Sequence, residues 1–158
     1  IGVAKNQALF EMKNCKIVTR LLDGEFLNYS SVIPETWETR IRVDKNAIQN
    51  CFERISLISS SSIEKEKKYP VKVNIDIGKV TISCTNQTGD AKEEMYVTTE
   101  GKNLEAGFNP KYFLDALRAI DDQEVFIDFG TSISPCIIRP VEEGGDYVYM
   151  VLPIRMKE

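Results

Sequence analysis

The sequence contains no histidine among its 158 residues. That removes the side chain most often used as a general base and as a metal ligand, so Ser-His-Asp and Cys-His catalysis are excluded within this chain. Cysteine is scarce. Cys15, Cys51, Cys84 and Cys136 are widely spread and form no C-x-x-C pair. This spacing argues against zinc and for reduced, buried thiols in a cytosolic protein. No apolar run approaches the ~18–20 residues a membrane helix needs, which excludes a transmembrane helix. Positive charge is not in excess: 20 Lys and Arg face 24 Asp and Glu, a net charge of −4. An overall basic nucleic-acid binder is excluded, whereas a local basic face is not. Glycine-rich phosphate loops and the G-x-S-x-G elbow are missing, and the first residues carry no signal-peptide pattern. The sequons Asn28-Tyr29-Ser30 and Asn86-Gln87-Thr88 read as chance matches.

What is present is a folded, globular balance of 42% hydrophobic and 28% charged residues. Residues 1–5, 8–12 and 16–22 read as a meander of short strands joined at Asn6-Gln7 and Lys13-Asn14. The chain starts inside the first of these and without Met, as expected of a piece of a longer protein. Residues 25–37 look extended and irregular, and Pro34 places a domain boundary near residue 35. A strand at 38–43 follows. Asp44 then caps a helix running to about Ser56, with Ala47, Ile48, Cys51, Phe52 and Ile55 on its apolar face. Residues 59–68 read as a polar loop. Alternation predicts strands at 71–76 and 79–84, turning at Ile77-Gly78. A polar turn at 85–92 and strands at 93–99 and 104–108 come next. Asn109 and Pro110 open a second helix to about Ile120, with Phe113, Leu114, Leu117 and Ile120 inward. Strands at 124–129, 132–139 and 146–152 complete the chain, the last hairpin turning at Gly144-Gly145. The fold class is therefore α+β, with antiparallel sheets, two helices and an internal β-α-β-β-β repeat.

No constellation makes an active site or calls for a cofactor. Asp121-Asp122 reads as a solvated helix end. Glu142-Glu143-Gly144-Gly145-Asp146 lacks the ligand spacing of a calcium loop and reads as a hairpin turn. The segment Tyr147–Met156 is unusually apolar for a chain end. Met150, Leu152 and Ile154 share one face and Pro153 interrupts pairing. This pattern fits a last core strand, or an apolar groove for a peptide.

Three blocks match a known family. Leu21-Leu22-Asp23-Gly24-Glu25-Phe26-Leu27-Asn28-Tyr29 with Val32-Ile33-Pro34 resembles the join between the second and third domains of bacterial sliding clamps, the beta subunits of DNA polymerase III. Ala106–Leu117 resembles the second helix of their third domain, and Val148–Met156 their C-terminal end. The resemblance implies the end of domain two and its linker at 1–35, and domain three at 36–158. It implies the DNA-clamp fold and a non-catalytic processivity factor, a head-to-tail homodimeric ring around duplex DNA. Polymerase III alpha subunit, clamp loader and repair polymerases would dock on it through short peptides of the Gln-Leu-x-Leu-Phe kind. The setting would be the bacterial cytoplasm and nucleoid. A fragment without the first domain is expected not to close a ring. The alternative reading is an unrelated α+β interaction domain with no role on DNA.

Carried over residue by residue, the resemblance implies a peptide pocket of Leu27, Val32, Asn109, Tyr112, Ile133, Pro135, Met150, Leu152, Pro153, Ile154 and Arg155. Leu27 stands where proline is frequent in the family, and Pro135 where a small polar residue is common. Lys45, Lys111 and Arg118 lie on polar helix faces, either lining the pore or as ordinary solvated charge. Leu57 and Ile58 fit either the dimer contact or local capping of the core.

Overall fold

The computed structural model describes residues 1–60, 69–87, 89–142, 145 and 147–156. The chain divides into two compact units, Ile1–Val32 and Ile33–Glu158.

In the first unit, β1 (Gly2–Val3), β2 (Gln7–Met12) and β3 (Cys15–Arg20) form an antiparallel sheet in that order. Register pairs Val3 with Ala8, Phe10 with Ile17 and Met12 with Cys15, so alternation puts this apolar set on one face. The other face carries the Glu11–Lys16 ion pair at 2.6 Å. The expected strand at 1–5 is shorter than read, because only Gly2 and Val3 have ladder partners. Beyond Gly24, whose positive φ of 118° suits glycine, the chain forms an unanticipated 3-10 turn at Tyr29–Ser31.

The second unit runs β4 (Thr39–Asp44), α1 (Lys45–Ser60), β5 (Val71–Asp76), β6 (Lys79–Asn86), β7 (Gly89–Tyr96) and β8 (Thr98–Gly101). It continues with β9 (Leu104–Phe108), α2 (Pro110–Arg118), β10 (Glu124–Phe129), β11 (Cys136–Pro140), β12 (Tyr149–Val151) and β13 (Pro153–Ile154). Two five-stranded antiparallel sheets result, ordered β12-β11-β10-β4-β8 and β13-β9-β5-β6-β7. The two halves, β4 to β8 and β9 to β13, are topologically equivalent. In each, the three strands after the helix build one sheet, while the strand before the helix and the last strand join the other.

The helices close the core. Helix α1 begins where Asp44 Oδ1 accepts the Ala47 amide at 2.7 Å. Ile48, Cys51, Phe52, Ile55 and Ser59 are buried along it, whereas Ala47 is exposed, contrary to the expected apolar face. The helix reaches Ser60 rather than Ser56, because Ser59 Oγ donates to the Tyr69 carbonyl at 2.5 Å and holds the last turn. The expected loop at 59–68 thus loses its first two residues to helix, and the remainder lies outside the described residues. Phe52 stacks on Phe113 of α2 with centroids 4.5 Å apart, and Phe113 meets Phe108 edge-on at 5.0 Å.

The strand expectations fail where the chain changes sheet. The segment read as one strand at 93–99 is the end of β7 and the start of β8, which belong to different sheets. The polar turn read at 85–92 is mostly ladder, with Cys84 opposite Ala91 and Thr85 opposite Asp90. The strand read at 132–139 begins only at Cys136, after a turn in which the Ser134 amide donates to the Thr131 carbonyl at 3.1 Å. The last strand is two: β12 in one sheet and β13 in the other. Pro153 pairs with Phe108 at the sheet edge, so it does not end pairing as its ring suggested. In the last hairpin, Gly144 lies outside the described residues.

Phe52→Ala is expected to cost about 3–5 kcal/mol of unfolding free energy, read as a lower urea midpoint, since it removes a stacked ring from both helices. Cys51, Cys84 and Cys136 are buried, and burial pushes all three thiols up, Cys51 to about 12. Under native conditions at pH 8 a thiol reagent should therefore label exposed Cys15 alone, and the other three only after denaturation. Labelling of a second thiol in folded protein would contradict this packing.

Candidate functional site

Helix α2 orders one wall of the site. Asn109 has extended backbone, its Oδ1 accepts the Lys111 amide at 3.1 Å, and Pro110 occupies the first helical position. Asn109 Oδ1 thereby already accepts one hydrogen bond, and its amide nitrogen adds two donors. With Phe113, Leu114, Ala116 and Leu117 inward, Tyr112 and Asp115 stand on the outer side one turn apart.

Against that side lies the end of the chain. A groove of about 460 Å³ is lined by Tyr112, Asp115, Ala116 and the strand Tyr149–Leu152. Tyr147 fixes the approach to this strand: its hydroxyl donates to Asp122 Oδ2 at 2.6 Å and its ring lies 5.5 Å from that of Tyr149. Burial and the neighbouring carboxylate push the Tyr147 phenol well above its usual range, so it stays a donor.

Further along the chain end is a second depression of about 560 Å³, lined by Lys72, Glu105, Gly107, Ser132, Ile133, Ile154, Arg155 and Met156. It is more polar, with Lys72 and Glu105 paired at 2.9 Å. Ile154 pairs with Gly107. A Cβ on Gly107 would lie 2.7 Å from Met156 Cγ and 3.0 Å from the Ile154 carbonyl oxygen, so the tail can lie this close only over glycine.

The expected pocket residues therefore separate. Tyr112, Met150 and Leu152 line the apolar groove; Ile133, Ile154 and Arg155 line the second depression. Pro153 lies in β13 and Asn109 caps α2, and neither lines either depression. Pro135 lines a separate small cleft with Pro34, Trp37, Asp128 and Arg139. Leu27, exposed, and Val32, half-buried, belong to the first unit. Tyr149, Asp115 and Ala116 were not anticipated. Asp115 was visible as the residue three after Tyr112; Tyr149 was hidden because an edge strand shows residues of both faces.

The helix charges form a chain rather than a free basic face. Lys45 Nζ donates to Gln49 Oε1 at 3.5 Å, Gln49 Nε2 donates to Glu53 Oε1 at 3.2 Å, and Arg118 Nη2 donates to the same oxygen at 3.0 Å. Arg118 and Gln49 hold the exposed Glu53 carboxyl below its usual range. Lys111 is exposed on α2. Leu57 is exposed near the end of α1, whereas Ile58 is partly buried against the core and its carbonyl accepts from Asn86 Nδ2 at 2.6 Å. Among the described residues, no group of three or more Cys, Asp or Glu is placed to hold a metal ion, and no helix is long and apolar enough to cross a membrane.

Residues 30–155 match the model of the DNA polymerase III beta subunit, C-terminal domain. The chain is 33% identical over 158 residues to the beta sliding clamp of Staphylococcus aureus, covering 98% of this chain and 40% of that protein. The DNA polymerase III beta subunit of Thermotoga maritima superposes with a TM-score of 0.84 at 31% identity, covering 98% of this chain and 41% of that one. The DNA polymerase sliding clamp of Bacillus subtilis gives 0.85 at 28% identity, with 98% and 40% covered. The chain thus spans about 40% of the length of these relatives.

Asn109→Ala should lower stability by about 1 kcal/mol, and Asn109→Asp, which keeps an accepting oxygen over the first turn, should restore most of it in the same urea titration. Equal loss in both variants would show that the cap is not what Asn109 contributes.

Proposed function

Since the chain belongs to the family of the DNA polymerase III beta subunit, matched over its C-terminal domain, we propose that it is part of a sliding clamp, a non-catalytic processivity factor for DNA replication. The observation that carries this reading at the level of the site is the apolar groove beside the terminal strand. Leu152 is 58% exposed, Tyr112 55% and Met150 37%, an arrangement of large apolar side chains that is stabilised by covering it. Met and Leu give an adaptable surface, and the Tyr112 hydroxyl stands at its edge for a backbone or amide partner; Asn109 is proposed as a further contributor on the resemblance alone. The ligand that fits is a short extended peptide with two or three apolar anchors and one amide side chain. Replicative and repair polymerases and the clamp loader would dock by such motifs, in the bacterial cytoplasm and at the nucleoid. Arg155, Ile154 and Ile133 are proposed to extend the docking surface beyond the groove, with Pro153 and Pro135 as contributors on the resemblance alone. Leu27 and Val32 are proposed as contributors on the resemblance alone.

The two units fit this reading in different ways. The first, with its apolar face of Val3, Phe10, Met12 and Ile17, suits the final strands of a preceding clamp domain. The second carries the two-helix domain. In the whole protein, a homodimeric ring around duplex DNA would place Lys45 and Lys111 toward phosphates. Contacts there would be few and non-specific, because Glu53 already holds Arg118 and the whole chain is acidic. Leu57 and Ile58 are proposed to meet the neighbouring subunit.

Titration of the ¹⁵N-labelled chain with a Gln-Leu-Asp-Leu-Phe peptide tests the docking reading. Shifts should cluster at Tyr112, Tyr149 and Met150–Arg155, and Leu152→Ala should weaken binding about tenfold. Shifts spread over the surface, or binding indifferent to Leu152→Ala, would sink it.

A further inference from the structure

The docking reading leaves unexplained a cluster on the face of the β4-β10-β11 sheet that points away from the core. Alternation places Arg40, Arg42, Phe126, Asp128, Ile137 and Arg139 on this face, since Asp128 pairs with both Arg40 and Ile137, and Phe126 with both Arg42 and Arg139. The Asp128 carboxylate is only 4% exposed. Arg40 grips it with two parallel bonds, Nε to Oδ1 at 2.5 Å and Nη2 to Oδ2 at 2.8 Å. The same guanidinium lies between two rings, 4.7 Å from the Trp37 centroid and 4.6 Å from that of Phe126. Arg139 approaches from the other side, its Nε 3.3 Å from Asp128 Oδ2, and its Nη2 donates to the Pro34 carbonyl at 3.3 Å. The Glu38 amide adds a bond to the Phe129 carbonyl at 2.9 Å.

These contacts strap the segment Pro34–Glu38 across the sheet. Beneath it, Pro34, Trp37, Asp128, Pro135, Ile137 and Arg139 line one small cleft, so Pro135 lies beside the strap. Pro135 ends the turn that carries Ile133, and Ile137 is the ladder partner of Met150. The strap therefore reaches the docking surface by two short routes. It is not an open anion site despite its three arginines: Asp128 is hydrogen-bonded to Arg40, its Oδ2 also lies 3.3 Å from Arg139 Nε, which is buried without a hydrogen-bond partner among the described residues, and Glu124 pairs with Arg42 at 2.5 Å.

We propose that Arg40, Asp128 and Arg139 are positioning residues for peptide docking: through Trp37 and Pro34 they clamp Pro135 and Ile137, and so set the placement of Ile133 and Met150. This rests on the docking reading above. A bidentate, ring-stacked guanidinium suits that task because its plane, and not merely its charge, is fixed.

Trp37 is the only tryptophan in the chain, so its fluorescence reports the strap directly. In Asp128→Asn and in Arg40→Lys, which keeps the charge but loses the fork and the stacking, Trp37 emission should move to longer wavelength and become more accessible to acrylamide. The dissociation constant of the Gln-Leu-Asp-Leu-Phe peptide should rise about three- to tenfold, with smaller peptide-induced shifts at Ile133 and Met150. Arg42→Lys, at the exposed pair on the same face, should change neither readout. Should Asp128→Asn not fold, Arg40→Lys alone decides. The proposal is overturned if Trp37 is unchanged in the folded variants. It is equally overturned if Trp37 is released while peptide affinity stays at the parent value. A parent chain that binds no peptide overturns the docking reading and this role with it, whatever Trp37 shows.

Discussion

The second unit depends on one contact between its helices, the stacking of Phe52 on Phe113 at 4.5 Å and 11° between planes. Helix α2 could not be stable alone at its length, since isolated helices of under ~12–15 residues are marginal in water, and α2 is only nine residues long. Burying an aromatic on each against the other, with Phe108 closing the ring edges from β9, gives both a fixed azimuth. Once that azimuth is set, the remaining faces follow. Ile48, Cys51 and Ile55 turn to the sheets, Leu117 turns with them, and Tyr112 and Asp115 are left outside.

The same packing explains why the terminal strand is both apolar and exposed. Each half of the domain sends its first and last strands to the sheet built by the other half, so neither half can fold as a separate layer. The last crossing is made by the chain end. Val151 is buried in one sheet, Ile154 pairs with Gly107 in the other, and Leu152 is the hinge between them. Leu152 is left largely exposed at this crossing. Its side chain stays outside, and the apolar groove results from topology before any partner is considered.

This topology also marks how far the sequence could be read. Strands at 71–76, 104–108 and 124–129 were legible because each stays in one sheet and alternates, Val71, Val73 and Ile75 being buried in turn. The start of α2 was legible because Asn109 and Pro110 act locally. The switches at Val97 and Leu152 were not, because alternation continues across them while the hydrogen-bond partners change. Three blocks of sequence carried the family. They did not show that Ile133 and Tyr112 line separate depressions. Still less visible was Arg40 with Asp128, 88 residues apart, for which neither composition nor spacing gives a sign.

The two electrostatic arrangements differ in kind, and the difference bears on function. Glu53 and Arg118 are exposed and joined by one hydrogen bond, so water and salt screen them and their arrangement is cheap to change. Such a surface suits loose, non-specific contact with a polyanion. Asp128 is enclosed, and a buried carboxylate left without its guanidinium is strongly destabilising, even though the intact pair adds little net stability. Such a pair is better understood through what it orients than through how tightly it holds. Here it orients a chain segment lying over Pro135 and Ile137, and Ile137 is the ladder partner of Met150 in the groove where large apolar side chains from strand and helix meet open solvent.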